Sequence, residues 1–144
     1  MSDFLAGMAA ASRRRVCAAK ARVGEAELFR RASARPDPKV LQHDLSGFDV
    51  VAEFKPRSPS RGILLAEGSL NASERGVAYA RGGACALSVV TEPTAFSGSL
   101  EALTTIAERS ELPTMRKDFL VEPYQVIEAR AHGASGVLLI ARLL

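Results

Sequence analysis

At 144 residues the chain has the length of one domain, and its hydrophobic fraction of 47% is enough to build a core. No apolar run approaches the roughly 20 residues of a membrane span, and Met1 to Leu5 put no basic segment ahead of an apolar stretch, so neither a membrane anchor nor a signal peptide is expected. The net charge is +3, with much of the excess in Arg13, Arg14, Arg15, Lys20, Arg22, Arg30, Arg31 and Arg35; the segment has Phe4 and Phe29 but no recognition motif, so these suit a solvated helix face better than a nucleic-acid surface.

From Ser2 to about Ala34 the composition is helical, rich in alanine, arginine and glutamate, with Pro36 and Pro38 stopping the run. Leu5, Met8, Val16, Val23 and Leu28 are sparse apolar positions, as on a cover helix, and Gly24 marks a break. Pro36 to Gly47 is a connector. Val50 to Lys55 reads as a strand, closed by Pro56 and Pro59 in a polar loop that runs to Gly62. Asn71 with Glu74 predicts an N-cap and its reciprocal partner, opening a helix that ends near Arg81 at Gly82 and Gly83.

A second strand is expected over Ala84–Thr91, then a loop from Glu92 to Gly98 and a helix from Ser99 carrying Leu100, Leu103 and Ile106. Pro113 introduces a third strand, Thr114–Phe119. Pro123–His132 is a helix closed by Gly133, and Val137–Ile140 a fourth strand. Glu122 and Tyr124 suit the start of that helix and packing; His43 and His132 are isolated and poor metal ligands. Cys17 and Cys85 have no metal-like spacing and are expected as free thiols of a reducing cytoplasm. Strands alternating with helices predict an α/β fold, with a parallel sheet and right-handed crossovers.

The chemistry concentrates at two strand ends. Strand side chains alternate, so Val51, Glu53 and Lys55 share one face while Ala52 and Phe54 share the other. On the third strand Met115, Lys117 and Phe119 share a face. Two lysines at the same end of one parallel sheet stand where such sheets place their sites. A lysine facing a buried interior should have a lowered pKa, which suits general-acid work or anion binding. The same residues also suit a structural ion pair at a strand end.

Several segments resemble the indole-3-glycerol-phosphate synthase family. They are Ala52-Glu53-Phe54-Lys55 with Ser58-Pro59-Ser60-Arg61-Gly62, Leu87 to Thr91 with Phe96 and Gly98, Arg116-Lys117-Asp118-Phe119, and Tyr124-Gln125 with Glu128-Ala129-Arg130. The resemblance runs in order from about Phe48 to Leu144, and more loosely over the first helix. It implies a TIM-type (βα)₈ barrel, of which this chain holds the first four strands: a helical extension and connector over residues 1–47 and a half barrel over 48–144. It implies ring closure of 1-(2-carboxyphenylamino)-1-deoxyribulose 5-phosphate, a phosphorylated small molecule, with loss of carbon dioxide and water in tryptophan biosynthesis, without metal or organic cofactor.

By motif, Lys117 matches the general acid, Lys55 the lysine that contacts the substrate's anionic groups, and Glu53 the carboxylate that orients both. Ser58 lies on the first substrate-binding loop, and Phe96 and Phe119 match apolar residues around the aromatic ring. The family's later strands, with a second glutamate and the phosphate site, have no counterpart here. A homo-oligomer, or pairing with a chain supplying the second half barrel, is therefore expected. A non-catalytic half-barrel assembly module is the alternative. Phosphoribosylanthranilate isomerase, a third possibility, needs a cysteine and an aspartate as acid and base, whereas Cys85 sits early in its strand.

Overall fold

A computed structural model describes residues 3–41, 47–65 and 71–143. His43 and part of the expected connector lie outside the described residues. The first expected helix is two: α1 (Asp3–Arg22) and α2 (Glu25–Ser33), separated at Gly24. The sheet is built from β1 (Val51–Phe54), β4 (Ala86–Val90), β5 (Thr114–Lys117) and β6 (Gly136–Val137), in that order and all parallel. Between β1 and β4 lie a small antiparallel hairpin, β2 (Arg57–Ser58) and β3 (Gly62–Ile63), and helix α3 (Ala72–Arg81). Helices α4 (Pro93–Phe96) and α5 (Leu100–Arg109) join β4 to β5, and α6 (Pro123–Ala131) joins β5 to β6.

Local chemistry accounts for the helix ends. Asn71 caps α3 by accepting from the Glu74 N–H at 3.0 Å, and Glu74 accepts from the Asn71 N–H at 2.9 Å, the expected reciprocal box. Ser99 caps α5 by accepting from the Ala102 N–H. The core lies between the sheet and the helices outside it. There Phe54, Leu87 and Val89 meet Leu103, Ile106, Ala129 and Ala134. A second cluster, Val16, Leu28 and Tyr124, seats α1 and α2 on α6, so the sparse apolar stripe of the first helix does cover something.

Three expectations need correction. The segment from Glu92 to Gly98 is not a plain loop, because Pro93–Phe96 forms the short helix α4. Proline at the first helical turn needs no hydrogen-bond partner for its nitrogen, and the Glu92 carboxylate accepts from three backbone N–H groups that would otherwise be unpaired. The polar loop after β1 contains the β2–β3 hairpin, turned by Gly62 at φ +70°. The fourth sheet strand is shorter than Val137–Ile140. One further bond, from the Leu138 N–H to the Arg116 carbonyl, follows β6, and a 3₁₀ turn takes over at Ala141. Among the described residues β6 has β5 on one side only, so nothing prolongs the ladder.

Gly98 lies where the backbone of the preceding strand end comes too close for a side chain. A Cβ there would lie 2.9 Å from the Thr91 carbonyl carbon and closer still to the Val90 carbonyl. Both are backbone atoms at the end of the central strand. Gly98→Ala is expected to cost about 1–3 kcal/mol, the usual range for forcing an extra methyl into a packed site. A urea midpoint equal to that of the unsubstituted chain would contradict the clash.

Candidate functional site

The parallel register sets the site. Glu53 pairs with Ser88, and Val90 with Lys117, so Glu53 and Ser88 stand in one layer of the inner face and Val90 and Lys117 in the layer above. Lys55, just past the end of β1, flanks the same upper layer. Two lysines on strands separated by a third start about 10 Å apart, yet both reach one carboxylate. Lys55 Nζ donates to Glu53 Oε1 at 2.6 Å, and Lys117 Nζ donates to Glu53 Oε2. The side chains of Glu53, Lys55 and Lys117 are 26%, 31% and 39% exposed, so the lysines are partnered and half-open to solvent rather than deeply buried. Partial burial pushes the Glu53 carboxyl up. The hydrogen bonds and charges of Lys117 and Lys55 together outweigh it and hold the group below the ordinary glutamate range.

Above these charges lie aromatic rings. Phe96 on α4 and Phe119 after β5 are 6.2 Å apart between centroids, and Phe4 on α1 meets Phe119 edge-on at 6.1 Å. A cavity of about 110 Å³ is lined by Lys55, Lys117, Phe96 and Phe119, with Glu92 and Asp118 also at its wall. Five of the six residues expected at the site thus meet: Glu53 through its ion pairs, the two lysines, and the two phenylalanines. Ser58 does not line this cavity. It sits in β2, and its Oγ accepts from the Arg61 N–H at 3.1 Å, within the hairpin's own turn. Phe4 was not anticipated, because a lone phenylalanine near the start of an alanine-rich helix carries no signal of where it lands.

The other face of the same strand ends holds charges that the sequence reading left without a role. Arg116 and Asp118 alternate with Lys117 and so point outward, where they are 3% and 4% exposed. Arg116 donates to the Thr91 hydroxyl (3.1 Å), the Gln125 carbonyl (3.1 Å), Glu128 (2.8 Å) and Asp118 (3.3 Å). Glu92 is fully buried. Arg15 on α1 reaches both Glu92 and Asp118. The early basic residues are therefore not all one solvated face: Arg13 and Arg14 are exposed, but Arg15 turns inward. A wider cleft of about 970 Å³ opens on this outer side, between α1, α2 and the α5–α6 pair. It contains neither Glu53 nor the two lysines, and shares Asp118 with the smaller cavity.

His132, at the end of α6, borders that cleft. Thr104 Oγ1 donates to the Leu100 carbonyl, which leaves His132 Nδ1 as the donor in the 2.8 Å contact with Thr104. Burial pushes the His132 imidazole below the ordinary histidine range; Glu128 opposes this and Arg116 adds to it. The folded value lies below the unfolded one, so the unfolded chain takes the proton first and stability is lost as pH falls through about 6.5. His132→Asn, whose amide can still donate to Thr104, is expected to flatten the fall in urea midpoint between about pH 7 and pH 5. Parallel curves for the two proteins would contradict this.

Cys17 and Cys85 are free thiols. Cys85 precedes β4, at the opposite end of the strand from Lys117, and donates to the Val50 carbonyl. Among the described residues no His, Cys, Asp and Glu group could hold a metal, and no helix is long and apolar enough to cross a membrane.

Comparison with known proteins gives the family of the chain. The family model for indole-3-glycerol phosphate synthase, a TIM-barrel family, matches residues 5–144. An indole-3-glycerol phosphate synthase of Desulfosudis oleivorans is 41% identical over the whole chain, and one of Mycolicibacterium smegmatis is 44% identical over 90% of it. The indole-3-glycerol phosphate synthase 2 of Streptomyces coelicolor is 41% identical over the whole chain. The match covers 56%, 47% and 56% of those relatives, so the chain spans about half their length. Four parallel strands in chain order are what part of such a barrel would show, and the chain belongs to the indole-3-glycerol phosphate synthase family.

Proposed function

We propose that the chain carries one half of a decarboxylating ring-closure site, acting on 1-(2-carboxyphenylamino)-1-deoxyribulose 5-phosphate as a carboxy-lyase. The observation that carries this reading is the convergence of Lys55 and Lys117 on Glu53 beneath the Phe96–Phe119 pair. Cations beside an apolar, ring-sized cavity suit a substrate that joins an aromatic ring to anionic groups.

In this reading the Lys117 ammonium donates its proton to the substrate's ketone oxygen. The ring carbon that bears the carboxylate attacks the activated carbonyl carbon. The bond to the carboxylate then breaks, its electrons restore the aromatic ring, and carbon dioxide leaves. The new hydroxyl takes a second proton from an ammonium and departs as water, the adjacent CH2 carbon gives up a proton to a base, and the double bond of the indole ring forms between the two carbons. Glu53 orients both ammonium groups, and Lys55 contacts the substrate's anionic groups and assists the later proton transfers. Phe96 and Phe119 pack on the aromatic ring, and Ser58 belongs to the first substrate-binding loop. No metal or organic cofactor takes part, and the free thiols suit a cytoplasmic setting.

Among the described residues β1 and β6 each have a strand on one side only, and Val51 and Leu139 are half exposed, which favours completion by further strands from the same polypeptide, a second copy or another chain. The test is product formation. The purified chain is given substrate across a range of concentrations, alone and with a chain supplying the remaining barrel strands, and indole-3-glycerol phosphate is followed by its indole fluorescence. Product in either preparation supports the reading. No product in either overturns it and favours a non-catalytic assembly module.

A further inference from the structure

Two buried carboxylates hold the two aromatic walls of the site by their backbone. Glu92 accepts from the N–H groups of Thr94 (3.1 Å), Ala95 (2.7 Å) and Phe96 (3.2 Å), and from the Thr94 hydroxyl (2.5 Å), so it fixes the short helix that carries Phe96. Asp118 accepts from the Phe119 N–H at 2.8 Å, and its other oxygen accepts from the Thr91 hydroxyl at 2.9 Å. The carboxylates belong to different strand-end loops, after β4 and after β5, and both are almost wholly buried. Arg116 neutralises Asp118 from below. Glu92 has one cationic partner among the described ion pairs, and it is Arg15, whose Nη1 lies 3.3 Å from Glu92 and whose Nη2 lies 2.8 Å from Asp118.

We propose that Arg15 is a positioning residue of the site, a single guanidinium on α1 that clamps the Glu92 and Asp118 loops together and so sets the spacing of Phe96 against Phe119 beside Lys117. The geometry explains why an arginine stands there. A planar fork presents two nitrogens at a fixed separation, one to each loop, whereas a lysine there would offer a single nitrogen on a shorter reach. The charge-assisted contact adds to the apolar contact of the neighbouring Val16, which seats the same stretch of α1 on α6. The role in positioning substrate rests on the ring-closure reading; the clamp itself does not.

The clamp is tested without turnover, so its failure is separable from failure of that reading. Amide hydrogen exchange on the isotope-labelled chain compares the unsubstituted protein with Arg15→Gln and Arg15→Lys. In Arg15→Gln the Phe96 and Phe119 amides are expected to exchange at least about tenfold faster, while Val89 in the central strand is unchanged. The ring-to-ring cross-peak between Phe96 and Phe119 should weaken. In Arg15→Lys one of the two amides should regain protection and the other should not. That split also decides the matter if Arg15→Gln does not fold. Unchanged exchange at both phenylalanines, or uniform acceleration of Phe96, Phe119 and Val89 in the folded variant, would overturn the proposal.

Discussion

Arg116→Met is expected to cost about 3–5 kcal/mol of unfolding free energy, the range found when one partner of a buried ion pair is removed. Methionine fills much of the arginine's volume, so the loss is electrostatic rather than a cavity effect. Asp118, with a side chain 1% exposed, would keep only Arg15 as its cationic partner. Glu128, 13% exposed, would lose its contact with the Arg116 guanidinium, and the Gln125 carbonyl would lose a donor. Arg116→Lys should recover only part of the loss, because one ammonium cannot reach β4, β5 and α6 together. Urea unfolding measures both. A cost below about 1 kcal/mol for the methionine variant would show that the network is replaceable by packing, as some buried ion clusters are.

Lys117→Met carries the largest expected effect on chemistry. A positioned general acid contributes typically about 10²–10⁴-fold to rate, and ring closure should slow by that amount in whichever assembly turns over. The effect should fall on kcat, since the proton moves in the transition state. Lys55→Met, at the residue assigned to substrate contact, should raise KM more than it lowers kcat. Neither change should disturb folding greatly, because these side chains are more than 30% exposed and pairs of that kind contribute about 0–1 kcal/mol. A folded Lys117→Met protein that retained full rate would remove Lys117 from the mechanism.

The alternation of strand side chains made the inner face legible. Period two put Glu53 and Lys55 on one face, and a parallel sheet brought Lys117 to the same end; the register that joins all three on one face is seen only in the structure. The same rule put Arg116 and Asp118 on the opposite face, so half of the outer network was within reach of the reading that found the lysines. Its remaining members were not. Arg15 is one of three consecutive arginines, and its partners lie 77 and 103 residues away, too far for any local pattern to select it. Glu92 acts as a helix N-cap, a position that favours serine, threonine, aspartate and asparagine, and the helix it caps is a single turn. The short β6 escaped because strand length depends on a neighbour as well as on β-branched residues.

The contacts of α1 carry a consequence for how the chain acquires its structure. Each sheet strand lies beside the one before it in sequence, so the sheet can grow as it is made. The first helix cannot join at that pace. Arg15 needs Asp118, the Val23 carbonyl needs the Tyr124 hydroxyl, and Ser12 needs Gln125, across separations of 103, 101 and 113 residues. At about 5–20 residues per second of synthesis, the helix leaves the ribosome roughly 5–20 seconds before its partners exist. It is translated ahead of these partners and docks only once they exist, so the aromatic walls gain their clamp only after β5 and α6 are in place.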